Sequence, residues 1–145
     1  MNWSYMAVQR LKAYESRREA IKNIPEEIAL LTQRFQSIRA AATDGTPVQE
    51  SGNRREEMLV YNIAKREELK INFEIVRREV CLTEKGLAAL SDEERRILEL
   101  FYITRGKKSV ERLCEELFVS KTELYRRKDE ALRKFTMCSY GVVEL

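Results

Sequence analysis

The sequence predicts an all-α protein: a long antiparallel helical hairpin followed by a small helix-turn-helix bundle. Three observations carry this. Glycine and proline together make up only seven of 145 residues, well below the ~12 % of an average protein. So few breakers leave few tight turns, which argues against a β-sandwich or barrel. Charged residues reach 35 % and hydrophobic ones 43 %, a balance that suits helices with one buried stripe and a charged outer face. Apolar residues also recur at steps of three and four over long stretches, the spacing of one helix face.

The first stretch, residues 3–42, carries a stripe at Trp3, Met6, Leu11, Tyr14, Ile21, Ile28, Leu31, Phe35, Ile38 and Ala42. Trp3 and Tyr14 read as core residues. Pro25 interrupts, since a proline removes one helical hydrogen bond and crowds the carbonyl four residues earlier. The stripe nevertheless keeps its register from Ile21 to Ile28, which predicts one long helix bent at Pro25 in preference to two. Residues 43–54 hold two of the five glycines and one of the two prolines and read as a connecting loop. A second long helix is expected from about Arg55 to Glu84. Its seam is Leu59, Ile63, Leu69, Phe73, Val76, Val80 and Leu87, broken only at Arg66. The two seams match in length and predict the hairpin. Val60, Ile71 and Ile75 on the second helix and Leu30 on the first stay outside it as an apolar flank. That flank predicts a homo-oligomer, most simply a two-fold dimer.

From Ala89 the texture changes to short, capped helices. Ser91 with Glu94 is a capping box, followed by Ile97, Leu98, Leu100, Phe101 and Tyr102. Thr104, Arg105, Gly106, Lys107 and Lys108 make a basic turn, and Ser109 is placed to cap a helix carrying Val110, Leu113, Cys114 and Leu117. After a bend at Phe118 and Val119, a second box at Ser120 and Glu123 opens a helix with Leu124, Ala131, Leu132 and Phe135. The organisation expected is a hairpin over 1–88, a helix-turn-helix over 89–137 and a short tail over 138–145.

The chain contains no histidine, which excludes imidazole acid–base chemistry and histidine metal ligands. Cys81, Cys114 and Cys138 form no paired metal motif. An odd, sparse set of cysteines reads as reduced thiols in a cytoplasmic protein, and Cys81 and Cys114 fall on apolar stripes as small core residues. No segment approaches the ~20 apolar residues of a membrane span, and the N-terminus lacks the pattern of a secretory signal. Neighbouring acids such as Glu26 and Glu27 point in different directions on a helix and make no catalytic pair. The reading is of a protein that is not an enzyme and has no metal or organic cofactor.

Two short helices joined by a tight turn, the second of them basic, form the pattern of a DNA-binding helix-turn-helix. Leu113, Leu117, Val119 and Leu124 are expected inside, fixing the angle between the helices. The first turns of the second helix would then present Lys121, Thr122, Tyr125 and Arg126 to base edges in the major groove. From Thr104 to Phe135 there are ten basic and six acidic residues, a net +4 that leaves about −1 elsewhere. Concentrated basic charge is the footprint of phosphate binding. The expected DNA-binding set is Arg105, Lys107, Lys108, Ser109, Ser120, Lys121, Thr122, Glu123, Tyr125, Arg126, Arg127 and Lys128.

The run Leu90 to Tyr102 resembles the opening of region four of bacterial sigma factors. The run Ser109 to Phe135 is similar to that region's helix-turn-helix, ending in Ala131, Leu132, Arg133, Lys134 and Phe135. The resemblance covers roughly a third of the chain and implies that the second helix reads promoter DNA. Phe118 stands where the family usually has glycine, implying a wider or differently shaped turn. Arg127 stands where it usually has an apolar residue, implying looser packing of the reading helix. Nothing resembles sigma region two. The helical N-terminal half, with Thr46, Pro47, Gly52, Asn53 and Arg54 in its loop, is similar to small phage proteins of the ArpU/RinA type, which implies late-gene transcription regulation. The sequence thus predicts a phage or prophage regulator whose partner is double-stranded DNA, with RNA polymerase as a further partner. Two rivals stand beside it: a small-terminase-like DNA-packaging subunit, and a helical module that binds RNA polymerase without touching DNA.

Overall fold

A computed structural model describes residues 1–41, 49–104 and 106–143, with no side chains described at 49–52. The described residues are all-α. The elements are α1 (Trp3–Lys12), α2 (Tyr14–Ala41), α3 (Gln49–Ala88), α4 (Asp92–Leu98), a π-helical turn (Glu99–Ile103), α5 (Ser109–Leu117) and α6 (Lys121–Tyr140). No described helix is long and apolar enough to cross a membrane.

The N-terminal stretch is interrupted at Ala13, not at Pro25. Ala13, at φ −85° and ψ −6°, closes α1 as a C-cap at the flattened edge of the right-handed region, and the helix resumes at Tyr14. Pro25 lies inside α2 on an exposed face, where water can serve the carbonyl that loses its donor. The expected loop 43–54 is shorter than its composition suggests: α3 has already begun at Gln49, while 43–48 fall outside the described residues. Helix α3 also extends past Glu84 to Ala88, and the expected tail is helical as far as Tyr140. Gly141, at φ +68°, closes α6 in the left-handed conformation that glycine adopts without a Cβ clash.

The chain forms two compact units, one of residues 18–77 and one combining 1–17 with 78–145. The compact units therefore do not divide at residue 88 as expected: the end of α3 and the whole of α1 fall in the same unit as α4, α5 and α6.

In the 18–77 unit, α2 and α3 pack as a hairpin. The seam of α3 runs through Leu59, Asn62, Arg66, Leu69, Phe73 and Val76, an unbroken alternation of three- and four-residue steps. Asn62 is 4 % exposed and donates from Nδ2 to the Leu31 carbonyl at 2.8 Å. It accepts from Arg66 Nε at 2.8 Å, and the Arg66 guanidinium lies 4.8 Å from the centre of the Phe35 ring. Ile63, assigned to this seam from its hydrophobicity, is 45 % exposed. Arg66 does not break the seam but belongs to it, because its aliphatic stem packs while its head finds an amide and an aromatic face.

In the other unit, one core cluster joins α1, the end of α3, α4 and α6 through Ala7, Leu11, Leu87, Leu90, Leu98 and Phe135. A second joins Ile97, Leu100, Leu113 and Leu124. The π-helical turn serves both. The Thr104 amide donates to the Glu99 carbonyl at 2.7 Å. This wider ring lets Leu100 and Phe101 face the second cluster while Tyr102 and Ile103 face the first. Gly86 marks the closest approach: a Cβ there would lie 2.7 Å from Phe135 Cε2. The ~1 kcal/mol that glycine costs inside a helix is accepted because the ring leaves no room for a methyl.

Polar contacts tie α1 into this unit. Arg10 is bidentate to Glu79, at 3.0 and 3.2 Å, and donates to Ser139 Oγ at 2.6 Å. Its guanidinium lies 4.2 Å from the centre of the Tyr140 ring, which also stacks on Trp3 at 5.3 Å. Burial pushes the Tyr140 phenol above its ordinary pKa. Trp3 and Tyr14 are half-buried. Cys81 is exposed rather than part of a core stripe, and Cys114 is half-buried.

Candidate nucleic-acid interface

Helices α5 and α6 are set against each other by Leu113 and Leu124, both fully buried, with Leu117 and Val119 half-buried beside them. Phe118 occupies the turn at φ +55°, ψ +45°, the left-handed conformation glycine would take. The turn is therefore not widened. The phenylalanine instead accepts a backbone strain of about 1–2 kcal/mol, with its side chain 94 % exposed. The Phe118 amide donates to the Cys114 carbonyl, as does that of Val119 at 3.2 Å.

Ser120 then caps α6, its Oγ accepting from the Glu123 amide at 3.2 Å. The reciprocal half of the box is absent from the hydrogen bonds of the described residues, because the Glu123 carboxylate binds Arg126 and Arg127. At α4 both halves are present: Ser91 Oγ accepts from the Glu94 amide and Glu94 Oε1 from the Ser91 amide. Ser109 does not cap α5 as expected. The N-cap is Lys108, at φ +64°. Ser109 Oγ instead accepts from the Gly106 amide at 3.2 Å and is 2.8 Å from its carbonyl, closing the turn before α5.

The first turn of α6 leaves Lys121 and Thr122 exposed. Tyr125, 44 % exposed, rests edge-on against Phe101 with ring centres 5.7 Å apart. Between this turn and the start of α5 lies an open cleft of about 410 Å³, lined by Phe101, Lys108, Ser109, Lys121 and Tyr125 among others. Lys107, Lys108 and Lys121 are exposed and have no ion pair among the described residues. Arg105, expected to join them, lies outside the described residues.

The remaining basic residues of the expected set are engaged within the protein. Arg126 pairs with Glu123 at 2.6 Å and Glu130 at 3.4 Å. Arg127 pairs with Glu93 of α4 and with Glu123. It does not loosen the packing of α6 but ties that helix to α4. Lys128 is 18 % exposed at its side chain, pairs with Asp129 at 2.9 Å and lies 5.7 Å and 5.5 Å from the centres of the Phe101 and Tyr125 rings. Lys134 pairs with Glu94 at 3.0 Å. The sequence therefore overstates how much of the +4 charge is available. Acids on α4 and α6 neutralise the middle of α6, and of the expected set the cations without an ion pair among the described residues are Lys121 at its start and Lys107 and Lys108 in the turn before α5.

Hydrogen bonds from Arg126, then Arg127, hold the Glu123 carboxyl down to a pKa of about 2, against an ordinary 4.5. Because the folded value is depressed, the pairing is complete above about pH 4.5 and is lost as pH falls towards 2. A carboxylate titration followed by NMR should place the Glu123 midpoint near 2, and Arg126→Ala should raise it towards 4.5. An unmoved midpoint would show that Arg126 is not its partner. To reach a base edge, Arg126 must leave both acids, whereas Lys121 and Thr122 leave nothing.

Comparison of the chain with protein-family models, with curated proteins and with solved structures finds no match.

Proposed function

We propose that this protein is a cytoplasmic, duplex-DNA-binding regulator of transcription, of the phage or prophage kind, and that it reads DNA with the start of α6. The observation that carries this reading is the combination of a tightly turned, capped α6 with two unpaired lysines, Lys108 and Lys121, lining one cleft, and a third, Lys107, exposed beside Lys108 in the turn before α5. In a helix-turn-helix the N-terminal residues of the second helix reach the major groove, while neighbouring cations hold phosphates. On this geometry Lys121, Thr122 and Tyr125 make the base-side contacts. Lys107 and Lys108 make phosphate contacts, and Arg126, Arg127 and Lys128 serve chiefly to hold α6 in place. The resemblance of this segment to sigma region four supports transcription as the setting. The chemistry is binding alone, with no catalytic step and no cofactor.

Fluorescence anisotropy of labelled duplex DNA, titrated at several salt concentrations, tests the reading. Affinity should fall steeply with salt. Lys107→Ala and Lys108→Ala should each weaken all sequences alike and lower the slope of log K against log salt by about 0.9 per lost phosphate contact. An affinity that is flat across salt would overturn the proposal. The 94 % exposure of Phe118 favours one second reading, in which the turn docks on a protein such as RNA polymerase. In that case Phe118→Ser abolishes polymerase capture while DNA is never bound.

A further inference from the structure

Helix α3 is apolar on two opposite sides. At 100° per residue, the seam through Asn62, Leu69, Phe73 and Val76 faces α2, and Val60, Ala64, Ile71 and Ile75 fall about half a turn away. All four are exposed: Val60 66 %, Ile71 62 % and Ile75 58 %, with Ala64 exposed between them. A soluble hairpin needs only one such face, so the second is unpartnered within the described residues.

The pattern on that outer face is palindromic. Glu57, Val60, Ala64, Ile71, Ile75 and Arg78 follow one another at steps of three, four, seven, four and three. A two-fold axis between Glu67 and Glu68 therefore sets Val60 against Ile75, Ala64 against Ile71, and Glu57 against Arg78 of a second antiparallel helix. Glu57 and Arg78 are exposed and have no ion pair among the described residues. The acids at the centre do not oppose the approach, because Lys70 binds Glu67 at 3.1 Å and Lys65 binds Glu68 at 3.8 Å on the same helix. A parallel arrangement would instead place Glu57 on Glu57 and Arg78 on Arg78, which like-charge repulsion disfavours.

We propose that the outer face of α3 is a self-association surface that takes a second copy of this chain in antiparallel register, with Glu57 against the partner's Arg78 at each end of an apolar strip. From Glu57 to Arg78 the face is roughly 32 Å long at ~1.5 Å per residue, and its apolar part from Val60 to Ile75 is roughly 22 Å. The arrangement is isologous: the same patch serves both copies, so it closes as a dimer and does not extend into a filament. It does not depend on the DNA reading and survives that reading's failure.

Disulfide trapping distinguishes the registers. In a chain with Cys81, Cys114 and Cys138 changed to serine, Ala64→Cys mixed with Ile71→Cys should cross-link under mild oxidation. Each variant alone should not, because its own sulfur lies about seven residues, or roughly 10 Å, away along the axis. Light scattering of the native chain should give twice 17.1 kDa at micromolar concentration. Glu57→Arg should weaken the dimer roughly two- to fivefold per pair, and Arg78→Glu in the same chain should restore it. Ile71→Glu should give a monomer of unchanged helicity. A monomeric native chain, or self-linking of Ala64→Cys alone, overturns the proposal. Should Ile71→Glu fail to fold, the charge swap and the trapping still decide.

Discussion

Replacing Phe135 by alanine is expected to destabilise the unit formed by residues 1–17 and 78–145 by about 3–5 kcal/mol. Phe135 is fully buried in the cluster that joins α1, α3, α4 and α6. Its ring meets the backbone of α3 at Gly86, where even a Cβ would come within 2.7 Å. A helix face shaped by a missing side chain cannot move in to fill the space, so most of the cavity persists and its cost adds to the lost transfer energy. The converse substitution tests the same contact. Gly86→Ala gains ~1 kcal/mol of helix propensity, yet overpacking typically costs ~1–3 kcal/mol, so the net effect is expected to be destabilising. Trp3, the sole tryptophan, stacks on Tyr140 in this unit. Its fluorescence during urea unfolding therefore reports the transition. A Phe135→Ala protein as stable as the native one would mean that α3 and α6 do not meet at Gly86.

The second large effect is expected from Glu79→Ala, about 3 kcal/mol, the low end of the ~3–5 kcal/mol seen when one member of a buried ion pair is removed. The low end applies because the Glu79 side chain is 28 % exposed, although that of Arg10 is only 9 % exposed. Glu79 accepts from Arg10 through both oxygens and from Arg17 at 3.4 Å. Without it, the Arg10 charge stays in a dry site with Ser139 and the Tyr140 ring as its neighbours. Arg10→Met made together with Glu79→Met should be much milder than Glu79→Ala, because neither charge is then left unpaired. Equal losses in the two proteins would show that the pair contributes packing alone.

The surface proposed to read DNA stands apart from both effects. Lys107, Lys108, Lys121 and Thr122 are exposed, so changes there should leave stability nearly unaltered while changing affinity. That separation is what makes the salt titration interpretable.

The all-α class, the caps at Ser91 and Ser120, the order of the short helices and the inward positions Leu113 and Leu124 were all legible in the sequence. Each depends on neighbours within about one helical turn, and local hydrogen bonding and apolar periodicity act over that range. The features that escaped depend on residues far apart in the chain. Arg10 meets Glu79 and Ser139 across 69 and 129 positions. Docking against them accompanies the interruption at Ala13, where the sequence carries no breaker. Asn62 and Arg66 lie in the hairpin seam because the Leu31 carbonyl and the Phe35 ring are there to receive them, whereas hydrophobicity alone pointed to Ile63. The seam's spacing was visible, but only to a reading that let polar residues occupy it. The basic count over residues 104–135 was also correct as a sum. Which cations stay unpaired was decided when α4 brought Glu93 and Glu94 against Arg127 and Lys134. Net charge belongs to composition, but its distribution over a surface belongs to the tertiary structure, because a charge partner is whatever folding brings within about 4 Å.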